Sequence, residues 1–158
     1  MISFERLRIT PPRLIWAGCL VTLLYAVFSQ GVYHSDEHYQ ILEYACMKLF
    51  GTSTAHLAWE YPLQMRSGIQ PFVAWAVGKG LLAAGLYSPF AVVFVLQLLS
   101  GALSVAVLLF FYRTVRDELE DENARCWFLL LGFFLWFLAY LHVHFNAEMI
   151  SGNLLLLL

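Results

Sequence analysis

The sequence predicts an all-α integral membrane protein with several membrane-spanning helices. Hydrophobic residues make up 61% of the chain and charged residues only 13%, whereas a soluble domain carries about 25% charge. The apolar residues occur in long runs rather than at the spacing of amphipathic helices, so they exceed what one water-soluble core buries. The net charge is −2, and no basic patch interleaved with aromatic residues occurs, so we expect no nucleic-acid partner.

The first apolar run, residues 14–32, is predicted to be a membrane span. It follows residues 1–13, which contain Arg6, Arg8 and Arg13, and positive residues favour the cytoplasmic side of a membrane. The run is long enough to cross a bilayer as a helix, and no small-residue cleavage site follows it. We therefore expect a cytoplasmic N-terminus and a retained anchor rather than a cleaved signal peptide.

The second apolar run, residues 69–87, is interpreted as a juxtamembrane or re-entrant helix on the outer side of the membrane. Lys79 lies at its centre, where a charge costs roughly 2.5–3.5 kcal/mol on an insertion scale. Gly78, Gly80 and Gly85 weaken the helix around this lysine. The alternative is a true span from which the long side chain of Lys79 extends to the interface.

Two further runs, residues 90–112 and 127–145, are predicted as spans on either side of a cytoplasmic loop. That loop, residues 113–126, contains three arginines, and its cytoplasmic location requires that residues 69–87 do not cross the membrane. Its acidic residues are interpreted as the surface of a solvated helical hairpin without a functional role. Residues 146–158 then begin at the outer face and enter a further apolar run that has no polar flank, so we expect the sequence to be part of a longer chain.

The outer loop, residues 33–68, is predicted to contain an amphipathic helix. Ser35 is its expected N-cap, and Asp36 and Glu37 follow in the first turn, where the helix dipole favours carboxylates. Gly51 is its expected end. The spacing of apolar residues predicts that this helix lies on the membrane surface. The apolar stripe consists of Ile41, Leu42, Ala45, Cys46 and Leu49.

The polar and aromatic side chains of this loop suit a sugar carried on a lipid phosphate. Carboxylates can orient the hydroxyls of a sugar, aromatic faces can pack against its ring, and a guanidinium can hold a phosphate. The alternative is that the first two acids only complete a helix cap. The candidate side chains are His34, Asp36, Glu37, His38, Glu43, Trp59, Glu60, Tyr61 and Arg66.

At these residues the sequence resembles the lipid-phosphate-mannose-dependent mannosyltransferases, glycosyltransferase family 22, which extend N-glycan precursors and GPI anchors and have bacterial relatives. Ser35 stands where the family pattern has Pro, and Ala58 stands where it has Thr. Neither difference removes a charged group. The resemblance is carried by His34-Ser35-Asp36-Glu37-His38-Tyr39-Gln40, by Glu43 and Gly51, by Leu57-Ala58-Trp59-Glu60-Tyr61 and by Arg66-Ser67.

The resemblance implies a GT-C fold, which is a multi-span helical bundle with its catalytic site at the lumenal or periplasmic membrane face. It implies inverting transfer of a hexose, with mannose as the expected sugar, from a dolichyl- or polyprenyl-phosphate donor to a glycan or glycolipid acceptor, without a cofactor. The membrane would be a bacterial inner membrane or the endoplasmic reticulum. Asp36 matches the catalytic base of the family. The residues alone leave open whether Glu37 is the base and Asp36 orients the acceptor.

A metal site is the main rival within this segment, because His34, Asp36 and His38 alternate and His142 and His144 are predicted to return to the outer face. Alternate residues of a helix point in different directions, so we expect no metal. For His142 and His144, an equally acceptable interpretation is that they end a span as interfacial histidines.

Glu148 is predicted to lie at the outer end of a span and to contribute to substrate binding; the alternative is an ordinary acid at the start of the last helix. A transporter or flippase of lipid-linked sugars, without chemistry, is the other class of function. A transporter is expected to place polar residues near the middle of its spans, along a pathway, and apart from Lys79 and Gln97 this chain does not. The enzyme is therefore the preferred interpretation.

Overall fold

The structure, a computed structural model, describes residues 9–29, 34–53, 57–63, 65, 67–119 and 121–157. Its regular elements within these ranges are all helical, as the sequence predicts. A π-helical segment, Glu37–Leu42, continues directly into α2. The α-helices are α1 Pro11–Phe28, α2 Glu43–Phe50, α3 Ile69–Ala83, α4 Pro89–Val115, α5 Glu122–Phe134, α6 Trp136–Leu141 and α7 Ala147–Leu155.

Two helices, α1 and α4, are long and apolar enough to cross a membrane. They contain 18 and 27 residues, and the apolar core of a bilayer requires about 20. Each begins with proline in its first turn, where the missing amide hydrogen has no partner to lose. Large apolar side chains on α1, such as Trp16 and Phe28, are exposed. This composition and exposure favour association of the chain with a membrane.

Helices α1 and α5 approach each other most closely at Gly18. The ring of Phe133 lies against the α1 backbone, and a Cβ atom added to Gly18 would fall 2.3 Å from that ring. Phe133 is buried with Leu129, and Leu14 and Tyr112 complete this apolar core. Small residues allow membrane helices to approach in this way. The contact between α1 and α5 therefore requires glycine at this position.

The apolar run at residues 127–145 is divided between two helices. α5 ends at Phe134, Leu135 is extended with φ −60° and ψ 117°, and α6 covers only Trp136–Leu141. No proline occurs in this run to indicate the interruption. Residues 142–146 then form a turn and an irregular segment before α7 begins.

The helix at residues 35–50, which we call the loop helix, packs against α3 and α4. Ile41 and Ala45 from its apolar stripe are buried together with Ala74 of α3 and Val92 of α4. A helix lying on a membrane surface would turn this stripe toward lipid. In the structure α3 and α4 cover the stripe instead, so the loop helix is fixed to the rest of the protein.

The end of the loop helix agrees with the sequence prediction, but its start differs by one residue. Gly51 has a left-handed conformation with φ 64° and ends the helix as a glycine C-cap. Ser35, the predicted N-cap, is itself helical. His34 takes the capping position, because its Nδ1 accepts a hydrogen bond of 3.3 Å from the amide of Asp36. An imidazole nitrogen can satisfy a free amide of the first turn as a serine hydroxyl does.

Candidate functional site

The start of the loop helix presents Asp36 to its surroundings. The Asp36 side chain is 40% exposed, and its Oδ1 lies 3.5 Å from Nδ1 of His34, which is also exposed. The same ring nitrogen accepts the hydrogen bond from the Asp36 amide. Asp36 and His34 therefore form a small exposed unit in which a carboxylate is accessible to a reactant.

Glu37, the next residue, is buried in the protein. Its side chain is 7% exposed, and its Oε2 lies 3.3 Å from Nδ1 of His144, which is 2% exposed. The other ring nitrogen of His144 lies 3.3 Å from the hydroxyl of Ser29, directly after α1. The two acids that the sequence placed at one site thus have different surroundings. His144, predicted to reach the outer face, is found in the interior beside Glu37.

The segment that contains His144 is held in place by polar side chains of α4 and α7. Ser100 donates a hydrogen bond of 2.9 Å to the carbonyl of His144, and Ser104 donates one of 3.1 Å to the carbonyl of His142. Asn153 of α7 in turn donates to the hydroxyl of Ser104 at 2.9 Å. Buried carbonyl groups outside regular helices need such donors. These contacts fix the position of the His144 backbone.

Ser100 and Ser104 were not among the residues predicted from the sequence, although the sequence contains a signal for them. Gln97, Ser100, Gly101 and Ser104 follow one another at helical spacing within an otherwise apolar run. All four are buried. A polar and small-residue stripe on an apolar helix therefore indicated where α4 contacts other parts of the protein.

His38 and Glu43 form a second pair on the loop helix. Nε2 of His38 lies 3.4 Å from Oε1 of Glu43. The two residues are five positions apart, and π-helical winding brings residues at that spacing onto one face. Both side chains border a cavity of about 720 Å³ between the loop helix, α3 and α4, whose wall is largely apolar. The pair supplies polar groups to a site that is otherwise suited to an apolar ligand.

Residues 59–61, which we call the Trp-Glu-Tyr box, fold back onto the loop helix. Glu60 Oε2 accepts a hydrogen bond of 2.8 Å from the side chain of Gln40. The ring of Tyr61 packs edge-to-face against Tyr44, with ring centroids 5.1 Å apart, and Trp59 is exposed. Glu60, Tyr44 and Tyr61 border a second cavity of about 500 Å³. The structure therefore brings this box to the loop helix.

Trp75 of α3 borders both cavities, and the sequence analysis did not single it out. The ammonium nitrogen of Lys79 lies 4.8 Å from the centroid of the Trp75 ring. This is a cation–π contact between residues one helical turn apart. Lys48 also borders the smaller cavity. The spacing of Trp75 and Lys79 was visible in the sequence, but the cavities that Trp75 borders were not.

Comparison with known proteins agrees with the motifs of this loop. The model of the Alg9-like mannosyltransferase family matches residues 14–158. The chain belongs to this family. Mannosyltransferase APTG1 from Arabidopsis thaliana is 30% identical to it over 132 residues, which cover 83% of this chain and 24% of that protein. The chain thus spans about a quarter of the length of that relative, and no solved structure matches it significantly. The family identified from the loop motifs is confirmed.

Three further predictions for this Alg9-like chain concern Glu148, Arg66 and a metal site. Glu148 is exposed in the first turn of α7, a position that the helix dipole favours for an acid. Arg66 lies outside the described residues. Within the described ranges no three His, Cys, Asp or Glu side chains are placed to hold a metal ion, since His38 pairs with Glu43 and the unit at the helix start contains only His34 and Asp36.

Proposed function

We propose that the chain contains the catalytic loop of an inverting mannosyltransferase that uses a lipid-phosphate sugar as donor. Membership of the Alg9-like family supports transfer of mannose. The observation that carries the proposal is the contrast between Asp36, whose carboxylate is accessible, and Glu37, whose carboxylate is buried against His144. Only Asp36 of these two acids can meet an acceptor hydroxyl without a rearrangement of the helix.

In the proposed reaction Asp36 acts as the general base. The acceptor hydroxyl gives its proton to the Asp36 carboxylate while its oxygen attacks the anomeric carbon of the donor sugar. The bond between that carbon and the lipid-phosphate oxygen breaks on the opposite side, and the phosphate leaves with the bonding electrons. A single displacement inverts the anomeric carbon and needs no covalent enzyme intermediate. His34 supports this role by accepting the hydrogen bond from the Asp36 amide, which restricts the backbone of the base.

The substrate-binding groups of the proposal lie along the loop helix and the box at residues 59–61. His38 and Glu43 offer hydrogen-bond partners at the larger cavity, whose apolar wall suits a lipid chain. Glu60 and Tyr61 offer a carboxylate and an aromatic ring at the smaller cavity, which suits a sugar. Trp59 is exposed and available to a substrate, and Arg66 is assigned to the lipid phosphate from its sequence motif alone.

The proposed enzyme is a multi-pass membrane protein with this site on the lumenal or periplasmic side. α3 contains 15 residues, about 22 Å of helix, which is less than the roughly 30 Å of a bilayer core, whereas α5 and α6 reach that length only together, over residues 122–141. Its central residue Lys79 carries a charge that a bilayer core disfavours, and the ammonium nitrogen lies over the ring of Trp75. These features support a non-crossing α3, and with it a cytoplasmic location for residues 113–126 and the same outer side for residues 33–68 and 146–158.

The test is Asp36→Asn in the full-length enzyme. Asparagine retains the shape of the side chain but cannot take up a proton, so turnover should fall by about 10²- to 10⁴-fold while the protein folds normally. Transfer of mannose from a polyprenyl-phosphate donor would be measured in membranes. Asp117→Asn, an exposed acid in the segment after α4, is the matched control and should retain full activity.

Two results would contradict the proposal. Full transfer activity in Asp36→Asn would remove the base role from this residue. Vesicles containing the wild-type protein that move a lipid-linked sugar across the bilayer but never transfer it would instead support the flippase alternative. Neither result depends on the other.

A further inference from the structure

We infer that Glu37 and His144 form a positioning pair that fixes the start of the loop helix and thereby the orientation of Asp36. This inference rests on the proposed role of Asp36 as the base. Glu37 and His144 are separated by 107 residues in sequence and lie 3.3 Å apart in the interior. The pair connects the first turn of the loop helix to the segment between α6 and α7.

Burial makes this contact unlike an ordinary surface pair. Both side chains are more than nine-tenths buried, and removing a carboxylate and an imidazole from water costs several kcal/mol that only good mutual contacts offset. An apolar pair of similar volume would give comparable or greater stability at such a place. A buried polar pair directly beside the proposed base is therefore better explained by a requirement for a defined geometry.

His144 is held on several sides, so it can serve as a fixed point. Its carbonyl accepts a hydrogen bond from Ser100 of α4, and its Nε2 contacts the hydroxyl of Ser29. The carbonyl of Ser29 in turn accepts a hydrogen bond of 3.3 Å from Gln97 of α4. A carboxylate can only accept a hydrogen bond, so Nδ1 carries the proton when Glu37 is ionised. The Ser29 hydroxyl can then donate to the free Nε2 of a neutral ring.

Because Asp36 and Glu37 are adjacent in the helix, the position of Glu37 determines the direction of the Asp36 side chain. Consecutive residues of an α-helix point about 100° apart, so holding Glu37 in the interior directs Asp36 toward the exposed side. Glu37 is also the residue next in sequence to the base. A displacement of about 1 Å in a catalytic group can reduce turnover by about 10²-fold. Loss of the anchor should therefore affect the rate of transfer rather than the binding of the donor.

The experiment separates positioning from proton transfer by pairs of variants in the full-length enzyme. Glu37→Gln can still accept a hydrogen bond from His144, whereas Glu37→Ala cannot. We expect kcat to fall by about 10- to 100-fold in Glu37→Ala with the KM for the donor within about twofold, and Glu37→Gln to retain most of kcat. In the same way His144→Asn places an amide nitrogen close to the position of Nδ1 and should retain more activity than His144→Leu.

Hydrogen exchange at the amides of residues 36–40 provides a readout independent of activity. Exchange should accelerate in Glu37→Ala and His144→Leu but not in Glu37→Gln. Thr22→Val is the matched control, because it removes another buried hydrogen bond, 3.0 Å long to the carbonyl of Gly18, without touching the pair. This control should lower stability only, with kcat and exchange at the loop helix unchanged.

The inference is overturned if Glu37→Gln loses as much activity as Glu37→Ala, because Glu37 would then act through its charge or proton. Unchanged kcat and exchange in Glu37→Ala would overturn it as well. If Glu37→Ala does not fold, the two His144 variants test the inference instead. His144→Leu should then lose more activity than His144→Asn and should show accelerated exchange. Full activity in Asp36→Asn, with exchange accelerated in Glu37→Ala, would refute the proposed base but leave the structural pairing intact, so the two failures are distinguishable.

Discussion

Acidic residues are concentrated in two regions of the chain. In the first region, two of the acidic side chains contact residues that are far away in sequence. In the loop helix and the box after it, Glu37 contacts His144 across 107 residues. Glu60 accepts a hydrogen bond from Gln40, 20 residues away. Contacts over such distances depend on the folded structure, and they bring functional groups from separate segments together.

The second region, the segment that connects α4 to α5, uses its acids locally. Asp117 contacts the adjacent Arg116, and Asp121 accepts a hydrogen bond of 2.6 Å from the amide of Ala124 as the N-cap of α5. Exposed ion pairs and helix caps of this kind stabilise the end of a helix locally. Glu37 and Glu60 of the first region thus have partners far away in sequence, whereas the contacts described for Asp117 and Asp121 are local.

The largest expected difference between the regions is the side of the membrane on which each lies. Single cysteines at Ser53 and Glu118, in a protein whose Cys19 and Cys46 are replaced by alanine, should react with an impermeant maleimide from opposite sides. Cys126 is buried, and this burial raises the pKa of its thiol, with a smaller contribution from nearby Glu122, so it should give little background. Reaction of both introduced cysteines from the outside would mean that α3 crosses the membrane.

Glu43 should show an intermediate effect. Glu43→Gln removes a carboxylate that borders the larger cavity, and a hydrogen bond between such a charged group and a substrate contributes about 1.5–3 kcal/mol, whereas the half-exposed pair with His38 adds little to stability. We expect the KM for the donor or the acceptor to rise by about tenfold or more, with unchanged thermal unfolding. Steady-state kinetics with each substrate varied in turn measure this. Identical constants for Glu43→Gln and wild type would reduce the His38–Glu43 pair to a surface contact.

Asp121 should show the smallest effect, and only on stability. Asp121→Ala removes the N-cap of α5 and should lower the free energy of unfolding by about 1 kcal/mol, with transfer activity retained at ambient temperature. Denaturation in detergent followed by tryptophan fluorescence measures this change. Asp117→Asn should cause no measurable loss in either assay. A marked loss of activity in Asp121→Ala would show that the second region also serves the reaction.

Local chemistry made several elements predictable from the sequence. Two long apolar runs correspond to α1 and α4, and Gly51 ends the loop helix as expected because its left-handed conformation suits glycine. The resemblance of the loop motifs to those of a known family identified the family, which the comparison confirms. These predictions depend on residues close together in the chain, where periodicity and turn chemistry are informative.

Features that depend on tertiary packing were not predictable in this way. Nothing in the local sequence places Glu37 beside His144, since the approach of the two segments is set by how α1, α4 and the loop helix pack. The extended conformation of Leu135 has no proline beside it to reveal it. Trp75 becomes a candidate binding residue only because the structure places it at the wall of both cavities. A single sequence predicts most of the helices, whereas the break at Leu135 and the distances between side chains of different helices require the structure.

The contact between Gly18 and Phe133 has a consequence for the order in which the protein is made. The ring of Phe133 occupies the space where any side chain at position 18 would lie, so the final rotation of α1 is defined by a residue synthesised much later. At about 5–20 residues per second, translation of the intervening chain takes on the order of ten seconds. The close contact at position 18 therefore forms only after α5 has been made, whereas the contact of α1 with α4 at Thr22 and Gly101 can form earlier.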